Sequence, residues 1–321
     1  MRLRLLDEVR TACKTVAEHA TRVRIDYDRI PSYAAALPIE KARQPGHDPQ
    51  SHYLRQGEDT AAFFLTLDSI NFGSGYFPHL KKRPGKSGYF TVASCLNDRF
   101  KKQGPLSALE LTRLTAQDCI VMFEQEPDNR PIAELMQLFV KALNDLGWYV
   151  RQDFNGSFRE LIETAGASAE SLMHLLIRMP YFYDLELYDA LEVPFYKRAQ
   201  LAAADLSLAF SGKGLGKFDD LQNLTIFADN LVPHVLRIDK ILLYTERLVS
   251  QIDSEHLIPA GSAEEIEIRA CALHAVELLK AELQASGHQV TSMGLDFLLW
   301  NRGQQPAYKS FPRHRTRTVF Y

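Results

Sequence analysis

The chain has 321 residues, 46% of them hydrophobic, enough to bury a sizeable core in one unit or in two intimate helical lobes, 1–150 and 151–321. Lys and Arg number 37 against 40 Asp and Glu, a formal net charge of −3, which argues against the global basic field that binding a long nucleic acid exploits. No apolar run approaches the roughly 20 residues of a membrane span, and no apolar signal-peptide core follows the two early arginines, so a cytoplasmic protein without a membrane partner is expected.

Taken in chain order, the opening LRLLDEVRTACKTV repeats its apolar residues at helical spacing. The segment 42–50 (ARQPGHDPQ) is rich in Pro, Gly and Asp and reads as loose, with His52 just beyond it as either a solvated loop histidine or a ligand contact. Residues 65–78 (LTLDSINFGSGYFP) form either a helix end with glycine caps or a site in which Gly73 and Gly75 admit a ligand to the backbone while Asn71 and Phe72 face it. The turn-rich KKRPGKSG predicts a short β-hairpin between Tyr76 and Val92. Leu135, Leu138, Phe139, Ala142, Leu143 and Leu146 predict an amphipathic helix stopped by Gly147. Ser168 opens another that ends before Pro180. The Ala- and Leu-rich 195–210 predicts a third, closed by Ser211-Gly212, after which the cluster Gly212 to Gly216 lacks a P-loop ending and predicts an interhelical turn. Ser262 and Glu265 form a candidate capping box for a last helix through Leu279. The class is mainly α, with at most a short β-hairpin. Cys13, Cys95, Cys119 and Cys271 are scattered without zinc spacing and read as reduced thiols.

Two acids interrupt apolar runs. Asp229 sits in TIFADNLVPHVLR, where it is either a helix cap or a charge held for chemistry, and Asp296 sits in LDFLLWN, where it pairs with an arginine or a ligand. The cationic clusters available to a phosphate are Lys197 and Arg198 in FYKRAQ, and Arg313, His314, Arg315 and Arg317 near the C-terminal end. The order Gly214, Asp229, His234, Val235 is similar to that of the helix-hairpin-helix base-excision glycosylases.

The strings NGSFRELIETAGASAESLMHLLIRMPYFYDLELY, VPFYKRAQLAAADL, GKGLGKFDDLQNLTIFADNLVPHVLR, EEIEIRACALHAVELL and HRTRTVFY resemble, in order, the signature blocks of the queuosine salvage proteins; LDSINFGSGYFP and SGYFTVASCLNDRF fit the same family. The resemblance implies a helical fold related to the helix-hairpin-helix DNA glycosylases, no metal or cofactor, and release of the base queuine from queuosine 5′-monophosphate. It implies that Asp229 is the catalytic carboxylate, that Phe227 lies at the base, and that Asp296, Phe297 and His52 contact queuine. Asn301 stands where another branch of the family has an acid, and an amide cannot neutralise an ammonium group.

The chemistry fits those residue types. Breaking a ribosyl C–N bond builds positive charge on the sugar, which a preplaced carboxylate stabilises more in the transition state than in the ground state. A 7-deazapurine has carbon where guanine has N7, so protonating that nitrogen is closed as a way to help the base leave. A carboxylate such as that of Asp296 can accept from an N–H and an exocyclic amine together, and Phe227 and Phe297 can sandwich or edge-pack a flat base. Two other classes are weighed: a base-excision DNA glycosylase, for which a basic stripe is missing, and a non-catalytic queuine-binding protein.

Overall fold

The computed structural model describes residues 4–41 and 46–321. Part of the expected loose segment 42–50 therefore lies outside the described residues. The fold is mainly α, with one hydrophobic core running from Leu5 to Tyr308. The amphipathic helix Leu5–His19 buries Leu6, Val9, Cys13 and Val16 against the long helix Ala263–Ala285. The only sheets among the described residues are two antiparallel pairs: β1 (Val23–Ile25) with β4 (Leu242–Tyr244), and the hairpin β2 (Leu185–Tyr188) with β3 (Leu191–Pro194).

Three local expectations fail for identifiable reasons. The hairpin predicted between Tyr76 and Val92 is absent: KKRPGKSG does turn, but Ser87 then accepts from the Phe90 N–H (3.3 Å) and caps the helix Gly88–Gln103. Turn residues lead into a helix as readily as into a strand. Gly147 does not stop its helix, which runs through it as Arg130–Asp153. A Cβ at Gly147 would lie 2.7 Å from the Ala108 carbonyl oxygen, so this glycine serves a close crossing with a neighbouring segment. The capping box at Ser262 is half formed: Ser262 accepts from the Glu265 N–H, but the Glu265 carboxylate turns inward to Arg269. Ser168 and the helices Ala169–Leu176 and Lys197–Ala209 stand as predicted. All four cysteines are buried and unpaired.

Helix Lys197–Ala209 packs against Glu58–Ser69, and helix Leu231–Ile238 against Ser292–Gly303. A cavity of about 290 Å³ is lined by residues of Lys197–Ala209, Ser292–Gly303, the start of Gly88–Gln103, the entry to Leu231–Ile238 and the segment that follows Glu58–Ser69. No helix of the described residues is long and apolar enough to cross a membrane.

Candidate active site

Asp229 stands where an extended segment enters helix Leu231–Ile238, and it answers both readings of its apolar surroundings. Its Oδ1 accepts the Leu231 N–H (2.7 Å) and the Val232 N–H (3.2 Å), so it satisfies two of the helix's free donors. The same side chain is only partly buried and lines the cavity.

Its position is fixed by an ionic node directly behind it. Arg269, buried in the middle of Ala263–Ala285, donates Nε–H to the Ala228 carbonyl (3.0 Å) and grips Asp184 with two hydrogen bonds of 3.0 and 2.6 Å. Glu265 accepts from it as well (3.3 Å), and the rings of Phe195 and Tyr321 lie 3.9 and 4.7 Å from the guanidinium carbon. Asp184 Oδ2 also accepts the Lys197 N–H (3.1 Å), so one carboxylate ties the first turn of Lys197–Ala209 to the residue preceding Asp229.

Asp296, 3% exposed, faces the same cavity. Its Oδ1 accepts the Phe227 N–H (2.9 Å), and no arginine among the described residues pairs with it. Burial first, and the negative charge of Asp229 second, push its carboxyl well above the usual carboxylate range; the Phe227 N–H and Lys197 pull the other way. The rings of Phe227 and Phe297 meet edge to face, 6.0 Å apart at 71°, so they offer a planar ligand one face and one edge and do not form parallel walls. Asn301 is exposed at the rim, near Trp300 and Gln304.

His52 is not a solvated loop residue. It is 4% exposed, stacks on Phe64 with ring centroids 5.8 Å apart, and its Nδ1–H donates to the Asp48 carbonyl (3.1 Å). Burial pushes its pKa down to about 4, so at neutral pH Nε2 is free to accept from the Tyr89 hydroxyl (3.0 Å). Next to it, His47 is likewise pushed down to about 4 by burial, and its Nε2–H donates to the Asp205 carbonyl oxygen (3.1 Å). His47, Tyr89 and Asp205 all line the cavity, and the sequence pattern had singled out none of them.

The two cations of FYKRAQ separate. Lys197 lines the cavity; burial lowers its pKa, and the charge of Asp229 is the largest influence holding its proton on. Its Nζ donates to the Asn71 carbonyl (3.4 Å). Arg198 does not face the cavity. It is 1% exposed, donates to the carbonyls of Asp68, Ser69, Tyr181 and Val319, and lies over the rings of Phe72 and Phe182. One residue further along a helix points about 100° away, which is the physical reason adjacent cations part company.

The C-terminal cluster divides too. Arg313 reaches the cavity mouth beside Lys309, within electrostatic range of Asp229. Arg315 pairs with Glu255 (2.9 Å), Arg317 lies near Glu134 (3.7 Å), and His314 is buried and pushed down to about 3 by burial. Lys82 has Arg313 and Arg315 as like-charged neighbours, so the mouth is locally positive.

Asn71 and Phe72 line the cavity as expected, but Gly73 and Gly75 do not admit a ligand. The Gly73 N–H donates to the Tyr321 carbonyl (3.0 Å), and a Cβ at Gly75 would sit 2.3 Å from the Thr316 carbonyl oxygen. Gly75 lets the C-terminal segment dock, while a Cβ at Gly73 would lie 2.7 Å from Leu135 Cδ1. Gly214 and Leu215 line a separate surface groove with Arg159 and Glu163, away from Asp229.

Residues 51–321 match the family model described as queuosine salvage protein. A Sphaerobacter thermophilus protein named queuosine 5′-phosphate N-glycosylase/hydrolase is 35% identical over 318 residues, covering 98% of this chain and 97% of its own. Proteins of the same name from Dictyostelium discoideum and Mus musculus are 33% and 28% identical, covering 82% and 97% of this chain and 79% and 98% of theirs.

Proposed function

Because the chain belongs to the queuosine salvage protein family, we propose that it hydrolyses the N-glycosidic bond of queuosine 5′-monophosphate, releasing queuine and ribose 5-phosphate. The observation that carries this reading is the placement of Asp229. A partly buried carboxylate, held by two backbone N–H groups and an ionic node, opens onto a cavity with an aromatic wall and a cationic mouth.

In this reading the ribose lies beside Asp229, whose charge stabilises the oxocarbenium-like sugar as the C–N bond breaks. The base lies on Phe227 and Phe297 with its guanine-like edge towards Asp296, while His52, Asn71 and Phe72 complete the walls and Asn301 the rim. Arg313 and Lys309 hold the 5′-phosphate at the mouth, and Lys197 sits near the sugar; Arg198 supports the wall from behind. A carboxylate in place of a metal or cofactor suits a reaction that moves charge and water without a change of oxidation state.

The substrate is the free nucleotide and not queuosine within a folded transfer RNA, since a cavity of about 290 Å³ accommodates a small molecule and the chain's net charge of −3 favours no polyanion. Incubating the purified protein with queuosine 5′-monophosphate and assaying free queuine and ribose 5-phosphate tests the reading. Binding of queuine without cleavage of the nucleotide would make it a carrier, and equal turnover on intact transfer RNA would refute the substrate class.

A further inference from the structure

We propose that Asp205, backed by Asp68, is the specificity-determining group of this site and receives the cationic secondary amine in the arm that queuine carries on its pyrrole ring. The inference rests on the nucleotide-hydrolase reading above and adds to it a residue that neither catalysis nor recognition of the guanine edge requires.

Helix Lys197–Ala209 turns Lys197, Leu201, Asp205 and Leu208 towards the cavity, the spacing of one helical face. Lys197 and Asp205 are eight residues apart, about 12 Å along the axis. The face therefore carries a cation near Asp229 at one end and an acid well removed from the reacting bond at the other.

Asp205 is 5% exposed, and the described residues form no ion pair with it apart from His47, whose Nε2 lies 3.9 Å from Oδ1 and which burial keeps neutral. Lys197, whose ammonium donates to the Asn71 carbonyl, is the cation that acts on its charge. A buried carboxyl on a cavity wall is costly unless something pairs with it.

Asp68 supplies half of the explanation. Its Oδ2 is fully buried and meets no N–H or hydroxyl donor among the described residues, while Asn71 Nδ2 donates only weakly to Oδ1 (3.5 Å). The carboxyl of Asp205 is within hydrogen-bonding reach of it, and two apposed buried carboxyls resist carrying charge together. Burial raises both above the ordinary range. An arriving cation favours the ionised form of the pair, and Asp205 is the member that lines the cavity.

The surroundings suit a cation with hydroxyl groups attached. His47 and His52 are neutral and do not repel an ammonium, and the Tyr89 oxygen, whose proton goes to His52 Nε2, can accept from a diol hydroxyl. Asn301 at the rim supplies no charge. Asp205 thus provides, from the wall of the cavity, the negative charge that an amide at 301 cannot.

The test compares kcat/KM of the parent and of Asp205→Asn on three 5′-monophosphates: queuosine, its analogue with the arm amine replaced by an ether oxygen, and 7-deazaguanosine, which has no arm. The parent is expected to favour the amine over the ether at least tenfold. Asp205→Asn should slow the amine substrate ten- to a hundredfold and leave the armless one within about twofold. Equal rates for amine and ether in the parent, or an equal loss on the armless nucleotide in the variant, overturns the assignment. Should the variant fail to fold, the amine-to-ether ratio of the parent decides by itself. Cleavage of all three without discrimination rejects Asp205 while leaving the hydrolase intact; cleavage of none rejects both.

Discussion

Replacing Asp229 by Asn removes one charge and almost nothing else. Oδ1 keeps its geometry and can still accept the Leu231 and Val232 N–H groups now 2.7 and 3.2 Å away, because Asn caps helix ends about as well as Asp. The loss to stability is the attraction of a carboxylate to the positive end of a helix, about 0.3–1 kcal/mol, so the melting temperature should fall by no more than a few degrees. The loss to catalysis is larger. A full charge about 4 Å from the anomeric carbon at an effective dielectric near 20 is worth on the order of 4 kcal/mol in the transition state, roughly a thousandfold in rate. Queuine binding should change little, since Asp296 and the aromatic pair are untouched. Single-turnover cleavage, queuine calorimetry and thermal melting on one variant would read all three quantities. Turnover within about tenfold of the parent would refute the catalytic role, for it leaves only ~1.4 kcal/mol to the charge. A collapse in melting temperature would instead reassign Asp229 to the framework.

Asp296→Asn keeps an acceptor for the Phe227 N–H but places a donor opposite the donors of the guanine edge, so queuine affinity should drop by about 1–3 kcal/mol in calorimetry. Because burial raises the Asp296 pKa and the acid must lose its proton to accept two hydrogen bonds, parental affinity should rise with pH and that rise should vanish in the variant. Arg313→Gln should lower kcat/KM for the 5′-monophosphate about tenfold, the ~1.4 kcal/mol of one charge-assisted contact at an exposed mouth, while cleavage of the unphosphorylated nucleoside stays unchanged; an equal effect on both would take Arg313 off the phosphate. Stability should peak near pH 6.5. His47, His52 and His314, lowered to about 4, 4 and 3, contribute stability that is complete above the ordinary value of 6.5 and is lost as pH falls through the window to about 3. Asp68, Asp205, Asp296, Glu186 and Glu265 are raised, so they oppose that trend from about pH 4 upwards and lower stability above 6.5, where the histidines no longer contribute a slope. A melting temperature climbing steadily from pH 6.5 to 9 would contradict this balance.

The helical class and a few helix starts were legible because capping residues and apolar periodicity are local signals: Ser168 and the 195–210 run needed no tertiary knowledge. Asp229 and Asp296 stood out for the same reason, as acids in apolar runs. Asp205 carried a similar signal, an acid inside LAAADLSLAF four and eight residues from Leu201 and Lys197, but helix propensity alone masked it. His47 lay in a stretch whose Pro and Gly content suggests looseness, yet its ring lies 4.4 Å from that of Phe64. The division of Lys197 from Arg198, and of Arg313 from Arg315 and Arg317, depends on which way each side chain leaves its segment. Composition gives the charge of a cluster but not its direction.

The node around Arg269 has a kinetic corollary. Its hydrogen bonds span 41 residues to Ala228 and 85 to Asp184, while the mouth takes Arg313 from a segment whose Tyr321 carbonyl accepts from Gly73. Contacts so distant along the chain must close large loops before they return any energy, so they form after the local helices have assembled. Secondary structure and collapse should therefore recover during refolding ahead of activity, with the catalytic geometry among the last features to arrive and mispairing of Arg269 a natural point for the chain to stall.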